Sequence, residues 1–203
     1  MEIINYILII ALGYLIGSIP FALIVGKVFY NKDIRLEGSG NLGGTNAGRT
    51  LGKKAGISVI LLDIFKAWFA IILATFIVNK FNMNVDPNYA GLAVVFGHCY
   101  PIFANFKGGK GVATAAGFVL AINPILLLIA LAIFLIILFW KKMVSLSVIV
   151  TLVAITILSF IFPMFYNARL MLVILTIFIT YKHKANIKRI IDGNENTISW
   201  LTK

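Results

Sequence analysis

A glycine-rich segment carries the first group of residues that could bind an anion. Residues 38–49 read GSGNLGGTNAGR, with five glycines in twelve positions. Glycine lets the backbone turn successive N–H groups toward one anion, and arginine offers planar donors that match phosphate. The alternative is a connector that is rich in glycine for flexibility. The residues that we select as phosphate ligands are Ser39, Gly40, Asn41, Thr45, Asn46 and Arg49.

A second segment places two lysines beside glycines, immediately before an apolar run. Residues 107–111 read KGGKG, and the apolar run follows from Val112. The first turn of a helix presents free N–H groups and partial positive charge, so a lysine beside it completes an anion site. Lysines at a membrane boundary can equally be topological signals. The residues predicted to bind phosphate here are Gly108, Gly109, Lys110 and Gly111.

Two histidines, an asparagine and two serines complete the candidate residues. His98 could orient a substrate oxygen or transfer a proton, or it could be a satisfied structural group. His183 and Asn186 are three residues apart and share one face if the last helix continues through them. Ser145 and Ser147 start another apolar run, where a serine either binds a polar ligand or caps the helix. The sequence does not choose between these two serines.

The composition of the chain is that of a membrane protein. Of its 203 residues, 61% are hydrophobic and 12% are charged, with a mean hydropathy of +0.99 and a net charge of +11. A soluble domain is roughly half apolar and a quarter charged, so a soluble enzyme, a disordered protein and a nucleic-acid-binding domain are excluded. The single cysteine, Cys99, cannot form an internal disulfide, which excludes a secreted disulfide scaffold. We expect one polytopic membrane domain over residues 1–203.

Apolar runs predict about seven transmembrane helices in an all-α protein. The uncharged runs are residues 3–26, 67–78 (extended back over 57–62), 89–106, 112–140 and 143–180, the last interrupted by Arg169. A bilayer core takes roughly 20 residues per helix, so the last two runs are too long for one crossing. Each contains a proline, Pro124 or Pro163, at which we expect the helix to break. The fourth segment, residues 111–122, is short enough to be a half-crossing packed inside protein.

The distribution of basic residues predicts the orientation of these helices. With seven segments and the N-terminus outside, 15 of the 18 basic residues fall on the cytoplasmic side, and the last of these 15 is Lys203. This follows the excess of Lys and Arg in the cytoplasmic loops of membrane proteins. The C-terminus and all the candidate loops are then cytoplasmic. Within the membrane, Asp63 and Lys66 are three residues apart and form either a structural ion pair or part of the site.

Three motifs resemble those of the bacterial membrane glycerol-3-phosphate acyltransferases that use acyl phosphate as donor, the PlsY family. The matching segments are residues 38–49, 97–114 and 183–189, followed by Gly193 and Glu195. Gly44 stands where alanine is common in that family, and Lys182 stands where arginine is common. The resemblance extends over nearly the whole chain in size and in the order of the loops.

The resemblance implies transfer of a fatty acyl group from acyl phosphate to the 1-hydroxyl of glycerol 3-phosphate. The products are lysophosphatidic acid and inorganic phosphate, in the first step of phospholipid synthesis in the bacterial plasma membrane. The implied partners are both substrates, the membrane lipids and the enzyme that supplies acyl phosphate, and we expect no cofactor and no metal. We place glycerol 3-phosphate on Arg49, Lys110, His183, Asn186 and Ser145, and the donor phosphate on Ser39, Asn41, Thr45 and Asn46.

Both histidines lack the aspartate that acyl-CoA-type acyltransferases place five residues later. Phe103 stands five residues after His98, and Lys188 stands five residues after His183. Acyl phosphate is already activated, so positioning and charge neutralisation could supply most of the rate. The hydroxyl proton could then pass to a substrate phosphate or to His98. The alternative functions are a transporter or flippase for an anionic lipid or organophosphate, and a structural membrane scaffold.

Overall fold

The computed structural model describes residues 2–198, and this part of the chain contains helices and no strands. The ten α-helices are α1 Glu2–Gly17, α2 Phe21–Tyr30, α3 Gly44–Thr50, α4 Lys53–Lys80, α5 Asn88–Cys99, α6 Val112–Ile122, α7 Pro124–Lys141, α8 Val144–Leu158, α9 Tyr166–Lys182 and α10 Lys184–Ile191. Short 3-10 turns, Ile34–Leu36 and Ile102–Ala104, follow α2 and α5. The predicted all-α class is confirmed. Lys203, which contributed to the predicted orientation, lies outside the described residues.

Within the described part of the chain, three helical stretches are long and apolar enough to cross a membrane. They are Glu2–Tyr30, which combines α1 and α2, Lys53–Lys80 and Pro124–Lys141. The pair formed by α9 and α10, bent by 60°, would make a fourth. Helices α6 and α8 are apolar but have only 11 and 15 residues, fewer than the roughly 20 that span a bilayer. Seven crossings and their orientation therefore stay predictions.

Proline residues break the apolar runs where the sequence predicts. Pro124 is the first residue of α7, and the Asn123 side chain caps this helix by accepting a hydrogen bond from Leu126 N at 2.9 Å. Pro163 lies between α8 and α9. A third break was not predicted: the first run divides before α2, where Pro20 supplies no backbone N–H for a continuous helix.

The chain divides into two compact units, the first ending at Ala121 and the second beginning at Ile122. In the first unit, α1 packs closely on α5. A Cβ atom on Gly17 would collide with the carbonyl oxygen of Val94, and one on Gly97 would collide with that of Tyr14. Small residues let helix backbones approach this closely in membrane proteins. The close contact fixes the end of α5, where His98 lies.

Two of the predicted boundaries in the first unit are wrong. The segment 38–49 is not a loop throughout, because α3 begins at Gly44 and packs on α4. A Cβ on Gly56 of α4 would lie 2.7 Å from the Cα of Gly48, so the packing of these two helices requires glycine at position 56. The run 89–106 is not one helix either. Helix α5 ends at Cys99 because Tyr100, which precedes a proline, has φ −134° and ψ 62°.

The second unit contains α7 to α10. Thr156 of α8 and Thr176 of α9 share a hydrogen bond of 2.7 Å between their hydroxyl groups. Arg169 of α9 donates from Nε to Ser159 O at 2.9 Å, which satisfies a carbonyl group at the end of α8. The last helix does not continue unbroken through residue 186, which was the condition for His183 and Asn186 to share one face. It bends by 60° at His183, between α9 and α10.

Candidate functional site

Asn46 organises the first motif through its side-chain amide. Its Oδ1 accepts a hydrogen bond from Ser39 N at 2.9 Å, and its Nδ2 donates to Glu37 O at 3.0 Å. The residue is only 3% exposed. Gly38 has φ +56°, and a Cβ there would lie 2.5 Å from Asn46 Oδ1, so this turn requires glycine. Asn46 was predicted to bind phosphate, but in this structure its amide holds the loop together.

Several other predicted ligands of the first motif lie on the surface. Ser39, Thr45 and Arg49 are exposed, and Asn41 is half-buried with its Oδ1 beside the backbone of Gly43. Thr45 and Arg49 belong to α3, so a helix rather than a flexible loop holds them. The first motif therefore presents two hydroxyl groups and one guanidinium group to solvent.

An ion pair that was not predicted precedes this motif. Asp33 caps the turn Ile34–Leu36 by accepting from Arg35 N at 3.0 Å, and it also accepts from Arg35 Nε at 2.9 Å. These contacts lower the pKa of Asp33 to about 2, chiefly through the side-chain hydrogen bond from Arg35. The carboxylate thereby neutralises much of the guanidinium charge. The Asp-x-Arg spacing of residues 33 and 35 is the sequence signal from which this ion pair could have been predicted.

A cleft joins the first and second motifs within the first unit. Its volume is about 410 Å³, which is within the usual range for small-ligand sites. The cleft is lined by the Asp33 carboxylate, by the cationic groups of Arg35 and Lys107, and by backbone and apolar atoms. Its lining residues are Asp33, Arg35, Leu36, Gly40, Ala104, Asn105 and Lys107. The structure thus brings Gly40 of the first predicted segment beside the start of the second.

The second motif folds back onto the end of α5. Gly109 N donates to His98 O at 3.0 Å. A Cβ on Gly108 would collide with His98 O, and one on Gly109 would collide with His98 Nε2. Lys110 is half-buried and is followed by Gly111, which has φ +86° and precedes α6. The two central glycines are therefore required by contact with His98.

His98 belongs to a buried charged cluster with Asp63 and Lys66. Lys66 Nζ lies 2.8 Å from Asp63 Oδ1, although the angle is poor for a hydrogen bond, and 3.2 Å from His98 Nδ1. His98 Nδ1 is 3.4 Å from Asp63 Oδ1. The predicted pairing of Asp63 with Lys66 is confirmed. The contact with His98 was missed, because that histidine is on another helix and its spacing from Lys66 carries no local signal.

The Glu195 carboxylate accepts hydrogen bonds from three side chains of the second unit. Ser145 Oγ donates to Oε1 at 2.8 Å, Asn186 Nδ2 donates to Oε1 at 2.7 Å, and Arg189 Nε donates to Oε2 at 2.7 Å. Burial alone would raise the pKa of Glu195, but the hydrogen bonds from Asn186, Ser145 and Arg189 outweigh it and lower the pKa. Two predicted substrate ligands, Ser145 and Asn186, thus converge on one carboxylate.

The two serines of the second unit differ in their partners, and neither caps α8. The N-cap residue is Met143, whose side chain makes no capping hydrogen bond. Ser147 is fully buried and its Oγ donates to Met143 O at 2.8 Å. Ser145, which contacts Glu195, is the serine whose hydroxyl belongs to the polar cluster. Helix capping by either serine is therefore a wrong alternative.

His183 is buried at the bend between α9 and α10. Its Nδ1 lies 2.8 Å from Ile179 O. A carbonyl oxygen can only accept, so Nδ1 carries a proton. Asn186 follows within α10 and contacts Glu195. Among residues 2–198, no group of three or more His, Cys, Asp or Glu side chains has the geometry to hold a metal ion.

Comparison with known proteins shows the same family along the whole chain. The family described as glycerol-3-phosphate acyltransferase matches residues 7–193. The glycerol-3-phosphate acyltransferase of Bacillus subtilis (strain 168) is 48% identical over 196 residues, which cover 96% of this chain and 98% of that protein. The glycerol-3-phosphate acyltransferase of Listeria monocytogenes is 44% identical over 204 residues, which cover 98% and 99%.

Two solved structures share the fold. The crystal structure of PlsY (YgiH), an integral membrane glycerol 3-phosphate acyltransferase, in its glycerol 3-phosphate form has a TM-score of 0.87 and 37% identity, and 97% of each chain is covered. Its lysophosphatidic acid form has a TM-score of 0.85 and 36% identity, covering 96% of this chain and 95% of that one. By its sequence and by its fold, the chain belongs to the glycerol-3-phosphate acyltransferase family.

Proposed function

We propose that this chain is an integral membrane enzyme that transfers a fatty acyl group from acyl phosphate to the 1-hydroxyl of glycerol 3-phosphate. The products are lysophosphatidic acid and inorganic phosphate. The observation that carries the proposal is the likeness, over 97% of both chains, to an acyltransferase solved in a glycerol 3-phosphate form. The lysophosphatidic acid form of the same neighbour supports the proposed product.

The proposed mechanism relies on positioning and charge neutralisation. Acyl phosphate has a good leaving group, so the enzyme must align the two substrates and stabilise the charge that develops on phosphate. The hydroxyl oxygen of glycerol 3-phosphate forms a bond to the acyl carbon, and the bond from that carbon to the phosphate oxygen breaks. Phosphate leaves with the electron pair, and the hydroxyl proton passes to a substrate phosphate or to His98.

We assign the binding of glycerol 3-phosphate to five polar residues. A guanidinium and an ammonium group suit its phosphate, while amide, imidazole and hydroxyl groups suit its hydroxyls. The five are Arg49, Lys110, His183, Asn186 and Ser145. Glu195 supports this assignment because it orients the Ser145 hydroxyl and the Asn186 amide.

We assign the donor phosphate to polar groups of the first motif and to the glycines of the second. The side chains of Ser39, Asn41 and Thr45 and the backbone of Gly40 are the proposed contacts in the first motif, with Asn46 holding that loop. In the second motif they are Gly108, Gly109 and Gly111.

We further propose that residues 1–203 form one polytopic domain in the bacterial plasma membrane. Seven segments, an external N-terminus and a cytoplasmic C-terminus would place the three motifs on the cytoplasmic side. The positive-inside distribution of Lys and Arg supports this arrangement. The enzyme that supplies acyl phosphate is the proposed protein partner, and membrane lipids surround the chain.

Phosphate release from purified protein in detergent micelles tests the reaction. We expect inorganic phosphate to appear only when both acyl phosphate and glycerol 3-phosphate are present, with an equal amount of lysophosphatidic acid. Acyl-CoA in place of acyl phosphate should give no product. A transporter, flippase or scaffold would release no phosphate, and product formation from acyl-CoA alone would contradict the proposed donor.

A further inference from the structure

The ring of His98 is held between a buried lysine and a glycine of the second motif. Its Nδ1 lies 3.2 Å from Lys66 Nζ, and its Nε2 lies against the Cα of Gly109. The residue is 6% exposed. Within residues 2–198, no protein atom forms a hydrogen bond with Nε2. A ring nitrogen without a protein partner, on a residue that is largely buried and beside a predicted phosphate loop, points to a ligand.

The partner of Nδ1 determines which ring nitrogen carries the proton. An ammonium group has three donors and no acceptor, so Nδ1 must accept from Lys66. The competing arrangement, in which Nδ1–H donates to Asp63 Oδ1, would span 3.4 Å, and no aligned donor faces that oxygen. A neutral imidazole that accepts at Nδ1 carries its proton at Nε2.

We propose that Asp63 and Lys66 are positioning residues that fix His98 as its Nε2–H tautomer, so that His98 donates a hydrogen bond to a phosphate oxygen beside Gly108 and Gly109. The identity of this ligand rests on the proposed function, whereas the tautomer does not. A histidine fixed in this way cannot accept the proton of the attacking hydroxyl at Nε2.

Asp63 acts on His98 through Lys66. The lysine ammonium also donates to Ile19 O at 2.9 Å, in the break between α1 and α2. Asp63 Oδ1 lies 2.8 Å from Nζ and balances its charge in a buried position, where an unpaired ammonium would be costly. Three groups around Nζ thus hold the lysine at one place, and from there it faces Nδ1.

Kinetics distinguish a donor from a base at position 98. His98→Gln keeps an N–H donor but supplies no basic nitrogen, whereas His98→Ala removes both. We expect His98→Gln to retain at least roughly tenfold more kcat/KM than His98→Ala, because a hydrogen bond to a charged group is worth about that factor. Equal losses in the two variants would show that the N–H donor is not what matters, and would overturn the assignment.

Nitrogen NMR tests the tautomer without any substrate. The chain has only two histidines, so protein labelled with ¹⁵N in the imidazole rings gives two spin systems, and His183→Gln assigns them. We expect the His98 ring of the wild-type protein, at neutral pH in micelles, to carry hydrogen on Nε2 alone. A ring that carries hydrogen on Nδ1, alone or together with Nε2, would overturn the proposal even if the enzyme is active.

Two substitutions test the role of Lys66 in the same spectra. In Lys66→Met, the nearest partner of Nδ1 becomes the Asp63 carboxylate, so we expect the tautomer to change to Nδ1–H. In the double variant Asp63→Asn with Lys66→Met, no carboxylate remains and the Nε2–H form should persist. A Lys66→Met spectrum identical to wild type would show that Lys66 does not determine the tautomer. If that variant does not fold, the wild-type spectrum still decides the proposal.

Discussion

Asn186 donates its side-chain amide to Oε1 of Glu195 at 2.7 Å. Ser145, 50 residues earlier than Glu195 in the chain, donates to the same oxygen at 2.8 Å. One carboxylate thus orients two side chains that we assign to glycerol 3-phosphate. The Glu195 side chain is 4% exposed, so solvent cannot easily replace it as an acceptor. Glu195 is a positioning residue in this arrangement.

Replacing Glu195 should impair the binding of glycerol 3-phosphate selectively. In Glu195→Ala, three donors lose their acceptor and two proposed ligands lose their orientation. We expect KM for glycerol 3-phosphate to rise roughly tenfold, with little change in KM for acyl phosphate. Asp192→Ala, which removes an exposed carboxylate three residues away, is the matched control and should leave both constants unchanged. An equal rise in both KM values would contradict the selective role, whereas a lower kcat with both KM values unchanged would indicate a loss of folded enzyme.

Glu195 should also make the thermal stability of the protein depend on pH. The pKa of Glu195 in the folded protein is lowered below the ordinary value of 4.5. Glu195 therefore stabilises the folded protein at pH values above 4.5, and this stabilisation is lost as the pH falls through the lowered pKa. We expect Glu195→Gln to melt roughly 2–4 °C below wild type at neutral pH, and this gap should close on acidification. Thermal unfolding in micelles measures this difference in melting temperature between the variant and the wild type. A gap that persists or widens in acid would contradict the lowered pKa.

Local chemistry explains which structural features could be predicted. The start of α7 depends on Asn123 and Pro124, which are adjacent in sequence and act within one helical turn. The pairing of Asp63 with Lys66 likewise needs only the helical spacing of three residues. In both cases the residues that interact are close enough in the chain for their spacing to determine the contact.

Tertiary contacts explain which features could not be predicted. His98 and Lys66 are 32 residues apart, and Ser145 and Glu195 are 50 residues apart, so only the packing of separate helices brings them together. Helix α3 was missed for a related reason. Glycine has a low intrinsic helix propensity, and the helix containing Gly48 is stabilised by close packing on α4, which a local pattern does not show.

Arg49 and Lys110 should each be essential for the reaction. Both are proposed to neutralise phosphate charge, and removing one such group commonly costs about 100-fold or more in rate. We expect Arg49→Ala and Lys110→Ala to lose at least that factor in kcat/KM, measured with both substrates by phosphate release. Lys54→Ala removes an exposed cation near the start of α4 and should retain nearly full activity. Wild-type kcat/KM in either test variant would defeat the assignment of that residue.

The space around Gly109 should not accept a methyl group. A Cβ there would collide with His98 Nε2, whereas a Cβ on Gly48 would lie 3.6 Å from the nearest atom, an ordinary contact. We expect Gly109→Ala to displace the His98 ring and reduce kcat/KM more than roughly tenfold, while Gly48→Ala retains activity and folding. Size-exclusion profiles and phosphate release measure the two properties. Full activity in Gly109→Ala would mean that the contact between the ring and the loop is not needed.

The proposed orientation requires the three motifs to face one side of the membrane. Single cysteines can report this in a Cys99→Ala background, since Cys99 is the only cysteine of the chain. Single cysteines that replace Ser39, Asn105 or Lys184, three exposed residues, should react with a membrane-impermeant maleimide only after cells are permeabilised.

Asn82, which is exposed between α4 and α5, supplies the opposite expectation. With seven segments and an external N-terminus, a cysteine at this position should react in intact cells. The proposed assignment gives both substrate phosphates to cationic and N–H groups of the three motifs, so it requires these motifs to face the same side of the bilayer. Labelling of the Ser39 and Lys184 positions from opposite surfaces would exclude the assigned site, even if the protein releases phosphate.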